Sequence, residues 1–281
     1  MKVLIAGCGD LGTETGLRLR RDGHEVIGLR RDPSVLPDGF GRLAADLGAP
    51  LPPLPADVDA VVFAAAPGER SVAAYRRVYL DGLLGVLDGL RAAGATPSRV
   101  LFVSSTAVYD IADGSWIDED TPAEPAGDTG RVLREAEQAL LEGPFPATAF
   151  RLAGIYGPGR TRLVDQVRAG EAVAPDPAVH ANRIHRDDAA EAVVHLLTRV
   201  DAPEAIYLGV DHAPVDRGEV VQWLADQLGA PAPTRGPDRR SRGGDKRCRN
   251  DRLLATGFEF AHPTYREGYA AVLRGEGVRH P

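Results

Sequence analysis

The chain has 281 residues, 43% of them apolar, and a formal net charge of −7 at pH 7. That length allows one large α/β unit or a domain with a smaller lobe, and the composition is neither disordered nor fibrous. The acidic balance argues against a nucleic-acid binder, which needs a basic face, and two cysteines (Cys8, Cys248) without a CxxC or Cys/His cluster exclude a disulfide framework and give no reason to expect a metal.

The chain opens with "MKVLIAG", too short in its apolar part for a secretory signal, and no apolar run approaches the roughly 18 residues of a membrane span. A cytoplasmic protein without membrane contact is expected. "KVLIA" reads as a buried strand, followed by "GCGDLG" at the start of a helix over about 10–22. Gly7, Gly9 and Gly12 have the G-x-G-x-x-G spacing of a dinucleotide-binding turn: the first permits the turn, the second lets backbone approach a pyrophosphate, the third lets helix and strand pack. The helix start then offers N–H groups and positive dipole to phosphate.

The next strand, "EVIGLRRDP", ends in Arg30 and Arg31. An acid at that position bonds a ribose 2′-OH, whereas arginine accommodates a 2′-phosphate, so NADP(H) is favoured, with NAD(H) as the other possibility. Asp46, after a third strand, is placed to accept from an adenine amino group. Asp10, Leu11, Leu47, Ala64 and Ala65 complete the expected cofactor site.

"DAVVFAAA", "RVLFVSS" and "ATAFRLAGI" are continuously apolar and read as strands buried on both faces, alternating with helical patterns at about 71–94 and 129–142. This rhythm predicts an α/β fold: a Rossmann-like, doubly wound parallel sheet with right-handed crossovers. The dinucleotide-binding domain is expected over 1–160, with 180–205 returning to it. The remainder of 161–281 is expected to be mostly a smaller substrate-binding lobe, with a helix at about 187–200, a strand "AIYLGV" and helices near 216–228 and 263–274. No internal repeat is found.

The segment "LGAPAPTRGPDRRSRGGDKR" reads as loop. It carries part of a basic stretch, Arg235, Arg239, Arg240, Arg242, Lys246, Arg247, Arg249 and Arg252, which is either a solvated surface or a clamp for an anionic substrate group. Only Lys2 and Lys246 of the 33 basic residues are lysines.

Taken together, "GCGDLG", "VLFVSSTAVYD", "RLAGIYGPGR", "NRIHRDDAAEAV" and "GFEFAHPTYREGY" resemble the extended short-chain dehydrogenase/reductase superfamily of the nucleotide-sugar epimerase and dehydratase type, over nearly the whole chain. The resemblance points to Ser105, four residues before Tyr109, as a surviving catalytic hydroxyl. It also implies a Tyr-x-x-x-Lys pair in the helix that reads "TGRVLREAE" here. The matches at Gly130, Arg131, Ala136 and Glu137 set Thr129 at the tyrosine and Leu133 at the lysine, so the chain is similar to an atypical branch lacking that pair.

A phenol becomes a useful acid/base when an ammonium lies one helical turn away. Threonine and leucine cannot substitute, Lys2 begins the first strand, and Lys246 lies in the loop-like segment. Comparison with relatives puts Tyr79 where they carry an active-site Asn, so its phenol is either a replacement acid or a packed helix tyrosine. His185 is a second candidate acid/base if it faces the cleft, against a structural role. Tyr109, followed by Asp110, is expected to line the substrate side, with Tyr156 and Arg160 shaping the pocket.

The resemblance implies an oxidoreductase or epimerase/dehydratase-like enzyme acting on a small polar or sugar-like metabolite through a non-standard proton donor. The alternatives are a non-catalytic NAD(P)-binding sensor or partner-binding protein, and a non-redox isomerase or cyclase using the old pocket. It also implies a possible homodimer through the helices at 71–94 and 129–142.

Overall fold

Neighbouring residues of the first strand enter two different cores. In the computed structural model, which describes residues 1–237 and 244–281, Leu4 and Ala6 pack in one core with Val61, Phe63, Val100 and Phe102. Val3 and Ile5 pack in the other with Ala60, Val62 and Leu101. Side chains alternate across a strand, so apolar residues at consecutive positions require cover on both faces.

The sheet so covered has seven strands: β1 (Lys2–Ala6), β2 (Glu25–Arg30), β3 (Gly41–Ala44), β4 (Ala60–Phe63), β5 (Arg99–Ser105), β6 (Ala147–Leu152) and β7 (Ile206–Gly209). Their order is β7-β6-β5-β4-β1-β2-β3, and every neighbouring pair is parallel. Helix α1 (Asp10–Arg21) crosses from β1 to β2. The helices α2 (Gly82–Ala92) and α3 (Asp128–Leu141) cover one face, while α1 and α4 (Arg186–Thr198) cover the other. Strand order reverses between β1 and β4, which leaves a crevice beyond their carboxyl ends where ligands of such sheets bind.

Two expected elements differ in detail. The helix at 71–94 is an α-helix over Val72–Tyr75, a π-helical turn over Arg76–Asp81 that contains Tyr79, and then α2. At its junction Gly82 passes the loop after β3 so closely that a Cβ there would lie 2.9 Å from the Leu47 carbonyl oxygen. The strand "AIYLGV" belongs to the central sheet as β7 instead of the lobe, because Tyr207 and Leu208 are buried and pair against β6.

The lobe has its own core, in which Val164 and Val167 meet Val220 and Leu224 of α5 (Arg217–Leu228) and Tyr265 and Tyr269 of α6 (Tyr265–Leu273). A Thr264/Glu267 capping box starts α6. The stretch expected to be loop contains short strands: Thr234–Gly236 pairs with Val173–Pro175, and Lys246–Cys248 pairs with Ser115–Ile117, both parallel. Arg239, Arg240 and Arg242 lie outside the described residues. Among the described residues, no helix is long and apolar enough to cross a membrane.

Candidate functional site

The glycine turn sits at the carboxyl end of β1, beside the point where strand order reverses. Gly7 has φ +84°, and a Cβ on it would lie 2.4 Å from the Ala65 backbone. A Cβ on Gly12 would press on Ile5 at 3.0 Å and on the Gly7 carbonyl oxygen at 3.1 Å. Gly9 differs: a Cβ there would meet nothing within 4 Å. Gly9 is also the N-cap residue just before α1, and it supplies no side-chain cap. The turn thus pairs open space with uncapped N–H groups and the positive end of a helix, the combination that holds a pyrophosphate.

The other expected cofactor residues surround this turn unevenly. Ala64 donates its N–H to the Ala6 carbonyl at 2.8 Å, and Ala65 lies against Gly7. Leu11 is buried in the core between α1 and the sheet. Asp46 is exposed, with Oδ1 accepting the Gly48 N–H at 3.0 Å, and Leu47 packs beneath Gly82. Arg31 is exposed, whereas Arg30 turns back to the glycine turn and donates from Nη1 to the Cys8 carbonyl at 3.1 Å.

The Asp10 side chain is engaged by two arginines. Its carboxylate accepts from Arg186 Nη1 at 2.7 Å and from Arg160 at 3.1 Å (Nε) and 2.9 Å (Nη2). Arg160, expected in the substrate pocket, is held to α1 by that pair. One turn further, a bond from His280, with Arg18 and Arg186 nearby, holds the Glu14 carboxyl down at about 2 against the opposing effect of burial.

On the neighbouring strand, Ser105 ends β5 at the same edge of the sheet. It is half-buried, and its Oγ accepts the Ala107 N–H at 3.2 Å to cap a short 3-10 turn. Its own proton is left to donate. Thr129 is half-buried in the first turn of α3, and Leu133 is 2% exposed, packed in the core beneath the sheet.

Tyr79 stacks edge-on against Tyr75 and Phe102, with centroids 5.3 and 6.0 Å apart. Burial pushes its phenol up to about 12, the opposite of what a lysine neighbour would do. These contacts fit the packed-tyrosine reading: the ring is packed, and burial makes the phenol a weaker acid than a free one.

Tyr109 does not line the pocket. It is fully buried, accepting from Arg151 Nη1 at 2.6 Å and donating to the Asp118 carbonyl at 3.0 Å. Arg151 in turn holds Glu137 through Nε at 2.9 Å and Nη2 at 2.7 Å, and Ser104 donates to the same carboxylate at 2.5 Å. This buried cluster ties β5, α3 and β6 beneath Ser105, and sequence reasoning missed it. Lys246 also departs from its expected place: it is 3% exposed, and Nζ donates to the Tyr109 carbonyl at 3.0 Å. Burial lowers its pKa. The rest of the described basic stretch is dispersed, with Arg247 and Arg249 against the Trp116 ring and Arg252 bonded to Asp120.

His185 is not a cleft acid/base. It is 2% exposed, its Nδ1 accepts the Asp187 N–H at 3.3 Å as the cap of α4, and its ring stacks on His262 at 3.8 Å. Burial and the His262 ring push it down to about 4. His185, Asp188 and His262 have metal-like spacing. However, both Asp188 oxygens already accept N–H bonds from residues 261 and 262, and a Cβ on Gly157 would lie 3.2 Å from His185 Nε2. The cluster fits a fastener between α4 and the segment leading to α6 better than a metal centre.

Tyr156 is likewise internal: it is 5% exposed, packs on Tyr269 at 4.5 Å, and donates to the Thr264 carbonyl at 3.3 Å. Tyr156 thus packs within the lobe, and of the expected residues Ser105 and the glycine turn remain at the carboxyl edge of the sheet.

The sequence model of the NAD dependent epimerase/dehydratase family matches residues 3–209. Among solved structures, a Methylobacillus flagellatus protein assigned to the NAD-dependent epimerases/dehydratases is 35% identical over 97% of each chain, with a TM-score of 0.79. MoeE5, solved with UDP-glucose and NAD, is 25% identical, covering 98% of each chain, also with a TM-score of 0.79. The UDP-glucose 4-epimerase of Thermus thermophilus, solved with NAD, has the same fold at a TM-score of 0.79 and 20% identity, covering 98% of each chain. No curated protein matches the sequence.

Proposed function

Because the chain belongs to the NAD dependent epimerase/dehydratase family, we propose that it binds a nicotinamide dinucleotide at the Gly7–Gly12 turn and acts on a small, polar, sugar-like metabolite. The observation that carries this reading is the open, uncapped start of α1 at Gly9, on the same sheet edge as the Ser105 hydroxyl. UDP-glucose bound to MoeE5 supports a sugar-like substrate.

Arg30, beside the turn, favours a 2′-phosphate and hence NADP(H), although MoeE5 and the Thermus thermophilus epimerase were solved with NAD. When bound, the dinucleotide supplies the redox chemistry. The chain's own contribution is positioning: backbone N–H groups hold phosphate, and Ser105 donates a hydrogen bond to the reacting substrate oxygen. With Thr129 and Leu133 at the usual tyrosine and lysine positions, and with Tyr79 packed as a weak acid, the proton moves through bound water.

A second reading, a dinucleotide binder without turnover, is favoured by the burial of Leu133 in the core. The deciding experiment is titration with NADPH, NADP+, NADH and NAD+, followed by a turnover screen on sugar nucleotides and small carbonyl compounds. Binding with turnover supports the enzyme, binding with none supports the binder, and no binding to any of the four removes both.

A further inference from the structure

The segment Gly277–Pro281 lies along the cofactor turn and has no part in the function proposed above. Arg186 Nη2 donates to the Val278 carbonyl at 2.8 Å, and the His280 N–H donates to Asp10 Oδ1 at 3.1 Å. His280 Nε2 meets Glu14 Oε2 at 2.9 Å, and Arg279 Nη1 donates to the Gly159 carbonyl at 2.8 Å. The path fits closely: a Cβ on Gly277 would lie 2.5 Å from Pro158, and one on Gly159 would lie 2.4 Å from the Arg279 side chain. At the far end, Arg30 Nη1 donates to the main-chain oxygen of Pro281 at 2.8 Å.

The last contact matters most. Nη1 carries two hydrogens, one directed to Cys8 and the other to Pro281. A ribose 2′-OH or 2′-phosphate that takes Nη1 as one prong of the Arg30 fork competes with Pro281 for that hydrogen. The segment is also attached in a way that permits release. Val278 is 69% exposed, and the contacts that hold the segment are polar, so its detachment exposes little apolar area.

We propose that Gly277–Pro281 is a strap that competes with the adenosine-ribose end of a nicotinamide dinucleotide for Arg30, so that cofactor binding and strap release are one equilibrium. The proposal rests on the dinucleotide reading above and adds regulation to that site. A closed strap lowers apparent affinity by the fraction of molecules in which it is open, and bound dinucleotide must by linkage favour release.

The test uses the full chain, as wild type and as R279A/H280A, whose side chains grip Gly159 and Glu14. Both are titrated with NADPH and NADH by nicotinamide fluorescence, and amide exchange of the 274–281 peptide is followed in the wild type with and without saturating dinucleotide. Affinity should tighten about tenfold in the variant, and exchange in the wild-type peptide should accelerate on saturation. Binding with unchanged or weaker affinity in the variant, or strap protection that persists at saturation, overturns the strap and leaves the dinucleotide reading standing. Binding by the variant alone supports both, and binding by neither chain removes both. The exchange measurement needs no variant, so a folding defect in R279A/H280A leaves the strap testable.

Discussion

Glu137 and Arg151 form a two-pronged pair, 2.9 and 2.7 Å, with side chains 0% and 1% exposed. Each charge is compensated chiefly by the other, with Arg134 Nη1 3.5 Å from the Glu137 carboxylate and Ser104 and Tyr109 taking up remaining bonding capacity. Removing one partner from a buried pair costs about 3–5 kcal/mol. Glu137→Ala and Arg151→Ala should each lower unfolding free energy by that order in urea melts. A loss below about 1 kcal/mol, the value of an exposed pair, would contradict the picture.

The glycines of the cofactor turn should separate fold from binding. Gly7→Ala forces a Cβ onto the Ala65 backbone at positive φ, and it should cost stability on the order of 1–3 kcal/mol. Gly9→Ala meets open space, so melting should barely change while dinucleotide affinity falls, because the added methyl occupies the approach of the pyrophosphate. Equal melting temperatures for the two variants would refute this division, as would full dinucleotide affinity in Gly9→Ala.

Much of this is legible in the sequence. The strands are readable because a parallel sheet covered on both faces needs unbroken apolar runs, and the three glycines because their spacing encodes a local turn. Tyr109, Tyr156, His185 and Lys246 are not, because their environments are made by distant residues. Tyr109 meets Arg151, 42 positions away, Tyr156 meets Thr264 at 108, and Lys246 meets Tyr109 at 137. A polar residue in a loop-like motif resembles a pocket residue until such partners are known. The lysine at 246 reads as loop because Pro, Gly and charge surround it, yet a strand paired with Ser115–Ile117 carries it inward.

Cofactor choice depends on Arg30. Arg30→Asp should weaken NADPH binding by about tenfold or more, on the order of the 1.4 kcal/mol of one charge-assisted bond, and weaken NADH much less. An equal loss for both dinucleotides would show that Arg30 does not read the 2′-phosphate.

The pH response of stability should follow two buried groups that pull in opposite directions. Burial pushes His185 from 6.5 down to about 4, so the folded state binds fewer protons than the unfolded one, and stability from this group is lost as pH falls from about 6.5 towards 4. Burial pushes Asp211 from 3.8 up to about 7, only partly offset by Arg183. Here the folded state binds more protons, and stability is lost as pH rises from about 4 to 7. Asp211→Asn removes the second effect and leaves the first. The melting temperature of the variant relative to wild type should therefore climb steadily between about pH 4 and pH 7 and level off above it. The climb corresponds to on the order of 1.4 kcal/mol for every pH unit crossed in that window. A difference that is flat with pH would mean that Asp211 titrates near its ordinary value and that the Asp211 Oδ2 atom, buried without a hydrogen-bond partner among the described residues, is solvated in solution.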